Sequence, residues 1–271
     1  MDATIGGGGH AIEILKKGGR IIGLDVDSDA CEYTGKRLAN LACPLNAFRI
    51  FQANFVDLNK ILEKTGVNHP AGILFDLGTS FHQLEARERG FSFMRNSPLD
   101  MRMDKNLAVS AAQLVAGLSQ KELYELFTKL GEEKYSRAIT RDIVRTRLTS
   151  PIKTTKQLAE IAARVYQKYK VESNIDPATK IFQALRIVVN DELNSLKQAL
   201  PQAVDCLRQG GRLVVISFQG LEDKIVKEFF QAKEKESILE VLTKKPIQPS
   251  LVELTRNPRS RSARLRAAQK R

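Results

Sequence analysis

Cysteine is scarce in this chain of 271 residues: Cys31, Cys43 and Cys206 are odd in number and far apart. Neither a disulfide framework nor a C-x-x-C metal site is suggested, and a reducing compartment fits. No apolar run approaches the ~20 residues that a membrane helix needs, and the start of the chain lacks the charged-then-apolar pattern of a secretory signal. A cytoplasmic location without a membrane partner is expected. Internal repeats and low-complexity segments are missing too. With 42% hydrophobic residues, the chain reads as ordinary globular sequence, long enough for one large core or for a core plus a smaller second domain.

Acidic residues are the other shortage. Against 43 Lys and Arg stand 31 Asp and Glu, a net charge of +12, which points to a polyanionic partner. The excess is uneven: "RNPRSRSARLRAAQKR" (256–271) carries seven basic residues and no acid. A solvated tail is one reading. Because "ARLRAA" also alternates like a strand, Arg259, Arg261 and their neighbours are candidates for a fixed surface that holds RNA phosphates.

Four short apolar, β-branched runs bounded by Gly, Asp or Asn read as buried parallel strands: "RIIGLDVD" (20–27), "NAFRIFQ" (46–52), "AGILFDLG" (71–78) and "GGRLVVISF" (210–218). Helical patterns at 10–18, 28–41 and 55–65 alternate with them, the rhythm of a doubly wound α/β sheet. That rhythm stops near residue 104. Ser119-x-x-Glu122 and Thr154-x-x-Gln157 are capping boxes, and Leu123, Leu126, Phe127 and Leu130 share one helix face. The expected organisation is a discontinuous Rossmann-like domain, 1–104 and 178–271, with an all-α insertion at 105–177. A long helix over 178–208, kinked near Pro201, leads back into the sheet. A helix over 220–230 and strands at 237–245 and 262–268 close it.

The glycines of "MDATIGGGGH" fall directly after a first strand, where a nucleotide-like cofactor approaches backbone too closely for any Cβ. Asp25 closes the next strand nineteen residues after Gly6, the spacing at which an acid accepts from ribose hydroxyls. NAD satisfies this pattern as well, and so does a turn in which glycines serve only the backbone. Asp2, Asp25 and Asp76 at three strand ends shift the balance, since carboxylates suit the cationic sulfonium of S-adenosylmethionine better than a phosphate.

The block "FDLGTSFHQLEARERGFSFMRNSPLDMRMD" (75–104) resembles the signature of the bacterial small-subunit ribosomal RNA cytosine-N4 methyltransferases, the RsmH or MraW family. The resemblance continues through "GEEKYSRAITRDIV" (131–144), "PATKIFQALRIVVNDEL" (177–193), "GGRLVVISFQGLEDKIVKEFF" (210–230) and "NPRSRSARLRAAQKR" (257–271), nearly the whole chain in order. It implies a Rossmann-like S-adenosylmethionine-dependent methyltransferase sheet with an inserted helical domain, acting on the exocyclic N4 of a cytidine in the decoding centre. It implies cofactor contacts at Gly8, Gly9, His10, Asp25, Phe55, Asp76 and Gln83.

Methylating an exocyclic amine requires acceptors aimed at the N4 hydrogens while charge develops on nitrogen. Asp76 and Ser80 are the expected catalytic residues. The target cytidine must leave its stack to be reached. Lys134, Arg137, Arg141 and Arg145 recur at helical spacing and form an expected RNA-binding stripe on the insertion. The expected partners are ribosomal RNA or the small ribosomal subunit, with a homodimer as a candidate assembly.

Two departures from the family pattern stand out. Where the family reads D-L-G-V-S-S-P-Q-L-D, this chain has Phe81 and His82 in "DLGTSFHQLE", and "ISFHSLED" has become "ISFQGLED" with Gln219 and Gly220. Both are expected where substrate enters, so a non-catalytic ribosome-assembly factor that kept the fold stays open beside the enzyme. Relatives also carry further residues before the position of Met1, including a helix. The chain therefore reads as N-terminally short, with a more open cofactor pocket and weaker cofactor binding.

Overall fold

The structure is a computed structural model that describes residues 1–41, 43, 44 and 46–271. The chain forms two compact units, Met1–Ser80 with Leu193–Arg271, and Phe81–Glu192. The first unit opens with α1 (Gly9–Lys16), β1 (Ile21–Asp25), α2 (Ser28–Ala39), β2 (Phe48–Gln52), α3 (Leu58–Thr65) and β3 (Gly72–Asp76). The second holds α4 (Phe81–Glu85), α5 (Ala111–Gly117), α6 (Gln120–Lys129), α7 (Ser136–Thr149), α8 (Thr155–Lys168) and α9 (Thr179–Val189). The chain returns to the first through α10 (Glu192–Cys206), β4 (Arg212–Ser217), α11 (Gly220–Lys235), β5 (Leu239–Val241), α12 (Leu251–Arg256) and β6 (Arg264–Lys270).

In the sheet unit β1 pairs with β2 and β3 with β4, all parallel. The N-terminal segment joins these halves, because Asp2 bridges in parallel to both Gly23 and Leu74. Its amides and carbonyls alternate between the neighbours: Asp2 N–H donates to Ile22 at 2.8 Å, Ala3 N–H to Leu74 at 2.8 Å, and Ile5 N–H to Leu24 at 2.7 Å. β6 lies between β4 and β5, antiparallel to both. The order is thus β2, β1, the N-terminal segment, β3, β4, β6, β5. All of these but β6 run in one direction, and the order in which strands are added reverses at that segment, β1 and β2 to one side and β3 and β4 to the other; such a switch point is where open α/β sheets bind ligands.

β1, β3 and β4 bury their apolar residues, whereas β2, expected to be buried as well, stands at the edge of the sheet and has no fully buried residue. Leu24, Ile73, Phe75, Leu213 and Val215 pack with Leu58 and Leu62 of α3, Leu196 and Leu200 of α10, and Val226 and Phe230 of α11. Each such side chain stabilises the fold by roughly 1.5–3 kcal/mol through water-excluded area. A smaller cluster joins Ile5, Ile12 and Leu15 to Ile21 and Leu38. Arg266, almost fully buried in β6, binds both carboxylate oxygens of Asp223 on α11 at 2.6 and 3.1 Å, tying sheet to helix.

The helical unit is larger than the expected 105–177. Leu99 and Met101 are buried in its core beside Val115, Phe127, Ile139 and Leu158. Segment 81–104 is tied down by backbone bonds as well, Leu99 N–H to Lys153 at 2.9 Å and Ala111 N–H to Asp100 at 2.7 Å. Both expected capping boxes form, and a third at Ser110 and Gln113 accompanies them.

The expected single helix over 178–208 is two helices, broken at Asn190–Asp191. Asp191 has φ +48°, outside the helical region. The Asn190 side chain donates to Met101 O at 2.8 Å and accepts from Met103 N–H at 2.7 Å, so tertiary contacts end α9 there. Pro201 sits inside α10, which continues to Cys206.

Candidate functional site

The site is built at the switch point from the loops that leave the N-terminal segment, β1 and β3. Gly8 has φ +76°, and a Cβ there would lie 2.6 Å from Thr34 Cγ2, so neither backbone nor space admits a side chain. A Cβ on Gly7 or Gly9 would meet nothing within 4 Å, which leaves bare backbone facing open space. Two α2 side chains hold the turn. The Thr34 hydroxyl donates to Gly6 O at 2.6 Å and the Arg37 guanidinium to Gly7 O at 2.7 Å.

Asp25 locks strand to turn: one carboxylate oxygen accepts from Gly6 N–H and the other from Asp27 N–H, both at 2.9 Å. Burial pushes its carboxyl up to about 6, opposed by these backbone bonds. With about four lone-pair sites on a carboxylate, Asp25 keeps acceptor capacity for a ligand hydroxyl beyond these backbone bonds. Asp2, 1% exposed, is likewise raised to about 6, chiefly by burial. One of its oxygens accepts from Thr4 N–H at 3.2 Å, while Oδ2 is buried with no partner.

Asp76 closes the triangle. Its amide donates to Thr4 Oγ1 at 2.6 Å, its Oδ2 lies 3.3 Å from His10 Nε2, and its buried Oδ1 has no partner. That bond raises the His10 pKa above its usual value against the opposing effect of burial. A buried acceptor without a donor costs about 1–3 kcal/mol. Two of them at one sheet edge point to a ligand that brings donors or positive charge.

Among the residues expected at the site, the structure thus gathers Gly8, Gly9, His10, Asp25 and Asp76. Ser80 joins them, since a Cβ on Gly6 would stand 3.7 Å from Ser80 Cβ. The Phe55 ring meets Phe75, the neighbour of Asp76, edge-on at 5.5 Å. Gln83 belongs to the helical unit, where it is buried in α4. Phe81 begins the same helix and is 67% exposed. Gln219 is buried, with its amide on Glu222 Oε1 at 2.9 Å, at the start of α11.

Asp2 is absent from the contact set implied by family resemblance, and it is not the strand-end acid expected, since it pairs with Gly23 and Leu74 in mid-strand, two residues short of the level of Asp25 and Asp76. Thr4, Thr34 and Arg37 carry no signal in the sequence, because their roles depend on which carbonyls and amides fold against them. The expected RNA-binding residues fall on both units, one group on each. Lys134 precedes α7, and Arg137, Arg141 and Arg145 line its exposed side, Arg141 beside Asp142 at 3.3 Å. Arg259 and Arg261 are exposed on a 3-10 turn ahead of β6.

A mostly parallel sheet with one antiparallel strand between its last members, and a bare glycine turn among strand-end acids at its switch point, defines the Rossmann-like methyltransferase class. Among the described residues no group of His, Cys, Asp and Glu is arranged to hold a metal ion, and no helix is long and apolar enough to cross a membrane. The chain belongs to the MraW methylase family, which matches it over residues 1–271. It is 43% identical to the ribosomal RNA small subunit methyltransferase H of Syntrophus aciditrophicus over 100% of this chain and 90% of that one. It is also 43% identical to the protein of that name from Carboxydothermus hydrogenoformans, over 100% and 91%. A solved rRNA methylase from Streptococcus thermophilus superposes with a TM-score of 0.45 at 11% identity, covering 99% of this chain and 84% of that one.

Proposed function

We propose that this protein transfers a methyl group from S-adenosylmethionine to the exocyclic N4 of a cytidine in the decoding centre of small-subunit ribosomal RNA. The observation that carries this reading is the pair of buried, partnerless oxygens, Asp2 Oδ2 and Asp76 Oδ1, beside bare glycine backbone in a chain of the MraW methylase family. Such a set of acceptors fits a ligand with a cationic centre and no phosphate. The cofactor supplies an electrophilic methyl on positively charged sulfur.

The chain's residues have the remaining work. Asp25 accepts from ribose hydroxyls on the lone pairs left by Gly6 and Asp27. Gly8 and Gly9 give close access to backbone, and Phe55 packs on the adenine. His10 orients the Asp76 carboxylate through Oδ2, and that carboxylate accepts an N4 hydrogen as the nitrogen becomes positive. Ser80 stands at the same turn as a second acceptor. The arginines of α7 and of the turn before β6 hold RNA by its phosphates, which positions it without reading sequence.

Transfer of radiolabelled methyl to small subunits from a strain lacking the modification tests the reading, together with calorimetry using S-adenosylhomocysteine and NAD. Labelled N4-methylcytidine in the digested RNA is expected, with binding of S-adenosylhomocysteine and not NAD. Label on another atom, or NAD binding alone, refutes the assignment. Cofactor binding with no transfer refutes the enzyme and supports the assembly factor.

A further inference from the structure

Three of the chain's five tyrosines meet where the start of α7 packs against the end of α8. The Tyr135 ring lies 5.2 Å from Tyr166 at 63° and 5.4 Å from Tyr169 at 34°. The cluster is held from beneath by Glu133, which is 2% exposed. One Glu133 oxygen accepts from Tyr135 N–H at 2.8 Å and the other from the Tyr166 hydroxyl at 2.8 Å. The outer ring, Tyr169, is 48% exposed. The chain is bent away just past it, where Lys170 takes φ +51° and Val171 N–H returns to Tyr166 O at 3.0 Å. A fixed ring cluster, one pair edge-to-face and the other tilted, thus presents one open ring to solvent.

Cations surround this cluster in the chain. Lys168 and Lys170 bracket Tyr169, while Lys134 and Arg137 bracket Tyr135, and all four are exposed. Arg141 and Arg145 extend the charge along α7. The acids nearest in the chain are Glu132 and Glu172, both exposed, and Glu133, whose two oxygens are already used.

Basic side chains alone bind duplex and single strands alike, because both present phosphates. An open aromatic face adds something only for a base whose own face is free. We propose that Tyr169, backed by Tyr135 and Tyr166, is a stacking platform for an unpaired base of single-stranded RNA, with Lys134, Arg137, Lys168 and Lys170 on the flanking phosphates. This rests on the ribosomal RNA reading above and deepens it: the helical unit selects RNA whose bases are already unstacked.

The test uses the full chain and a fluorescein-labelled 12-nucleotide RNA of mixed sequence, single-stranded or annealed to its complement, with polyglutamate as a competitor. The wild type is expected to bind the single strand more tightly than the duplex. Tyr169→Ala should weaken single-strand binding roughly tenfold and duplex binding little, and Tyr169→Phe should retain the wild-type affinity. The chain has no tryptophan, so Tyr169→Trp provides a single indole whose emission should be quenched by the single strand. Unchanged affinity in Tyr169→Ala, equal binding of single strand and duplex, or displacement of both by polyglutamate overturns the platform. Methyl transfer is measured separately. A wild type inactive on subunits, whose single-strand binding still depends on Tyr169, refutes the methylation reading and not the platform. Normal transfer with no effect of Tyr169→Ala on binding refutes only the platform.

Discussion

Lowering the pH from 7 to 5 should loosen S-adenosylmethionine while leaving the fold intact. Asp2 and Asp25 each titrate near 6, raised from 3.8 mainly by burial. A group with that pKa is about 90% ionised at pH 7 and about 10% at pH 5. If the ligand requires the carboxylate, one acid produces roughly a tenfold rise in Kd and both produce up to roughly a hundredfold, about 1.4 kcal/mol per group. His10 acts in the same direction, since its protonation commits Asp76 more fully to the imidazolium.

The unliganded protein should behave oppositely. A carboxyl raised on folding contributes stability that is complete below its unfolded value near 4 and is lost as pH rises through about 6. For Asp2, raised from 3.8 to about 6 by burial, this corresponds to about 3 kcal/mol. Asp2→Asn removes that cost. It should raise Tm at pH 7 by several degrees while weakening S-adenosylmethionine and flattening the pH profile by one group. Calorimetry across pH 5–7 in two buffers of different ionisation enthalpy reads both Kd and protons released, roughly half a proton per acid at pH 6. A flat Kd with no proton release refutes the reasoning, and so does an Asp2→Asn variant that loses stability at pH 7.

Asp25→Ala and Asp76→Ala should each weaken S-adenosylhomocysteine by about 1–3 kcal/mol in calorimetry, since each removes an acceptor from a partly buried ligand group. Reversing Arg137 and Arg141 to Glu should lower affinity for small subunits and reduce the salt slope by about 1.4–1.8, with cofactor affinity unchanged in the same preparation. Gly8→Ala forces a Cβ to 2.6 Å from Thr34 at φ +76°. A loss of about 1–2 kcal/mol in denaturant unfolding is expected, accompanied by weaker cofactor binding.

The sheet was legible because an apolar, β-branched run ended by Asp or Gly has few other uses, and β1 to β4 fall inside the four runs read as strands. The capping boxes were legible because a hydroxyl and an amide or carboxylate three residues apart satisfy each other locally. The break at Asn190 was not legible. The apolar pattern runs across it, and what ends α9 is a pair of bonds to Met101 and Met103, far away in the chain. For the same reason the lower boundary of the helical unit was hidden, since Leu99 and Met101 resemble any apolar residues until their neighbours are known. At the site, strand-end acids and glycines were plain in the sequence. The meeting of His10 with Asp76, sixty-six residues apart, was not, because it depends on two loops reaching the same edge.

The position of β6 governs when the protein can finish folding. It is the last strand in the chain, yet it lies between β4 and β5 and supplies the only strand pairing of β5 among the described residues. During synthesis the helical unit, one uninterrupted stretch from Phe81 to Glu192, has all its contacts available early. The sheet unit has to wait. Until residues 264–270 emerge, β4 has an open edge, β5 has no strand partner, and Asp223 lacks Arg266. A nascent chain stalled before residue 264 should therefore display a folded helical unit and a sheet with one exposed edge, the form most open to chaperones and to pairing with another chain.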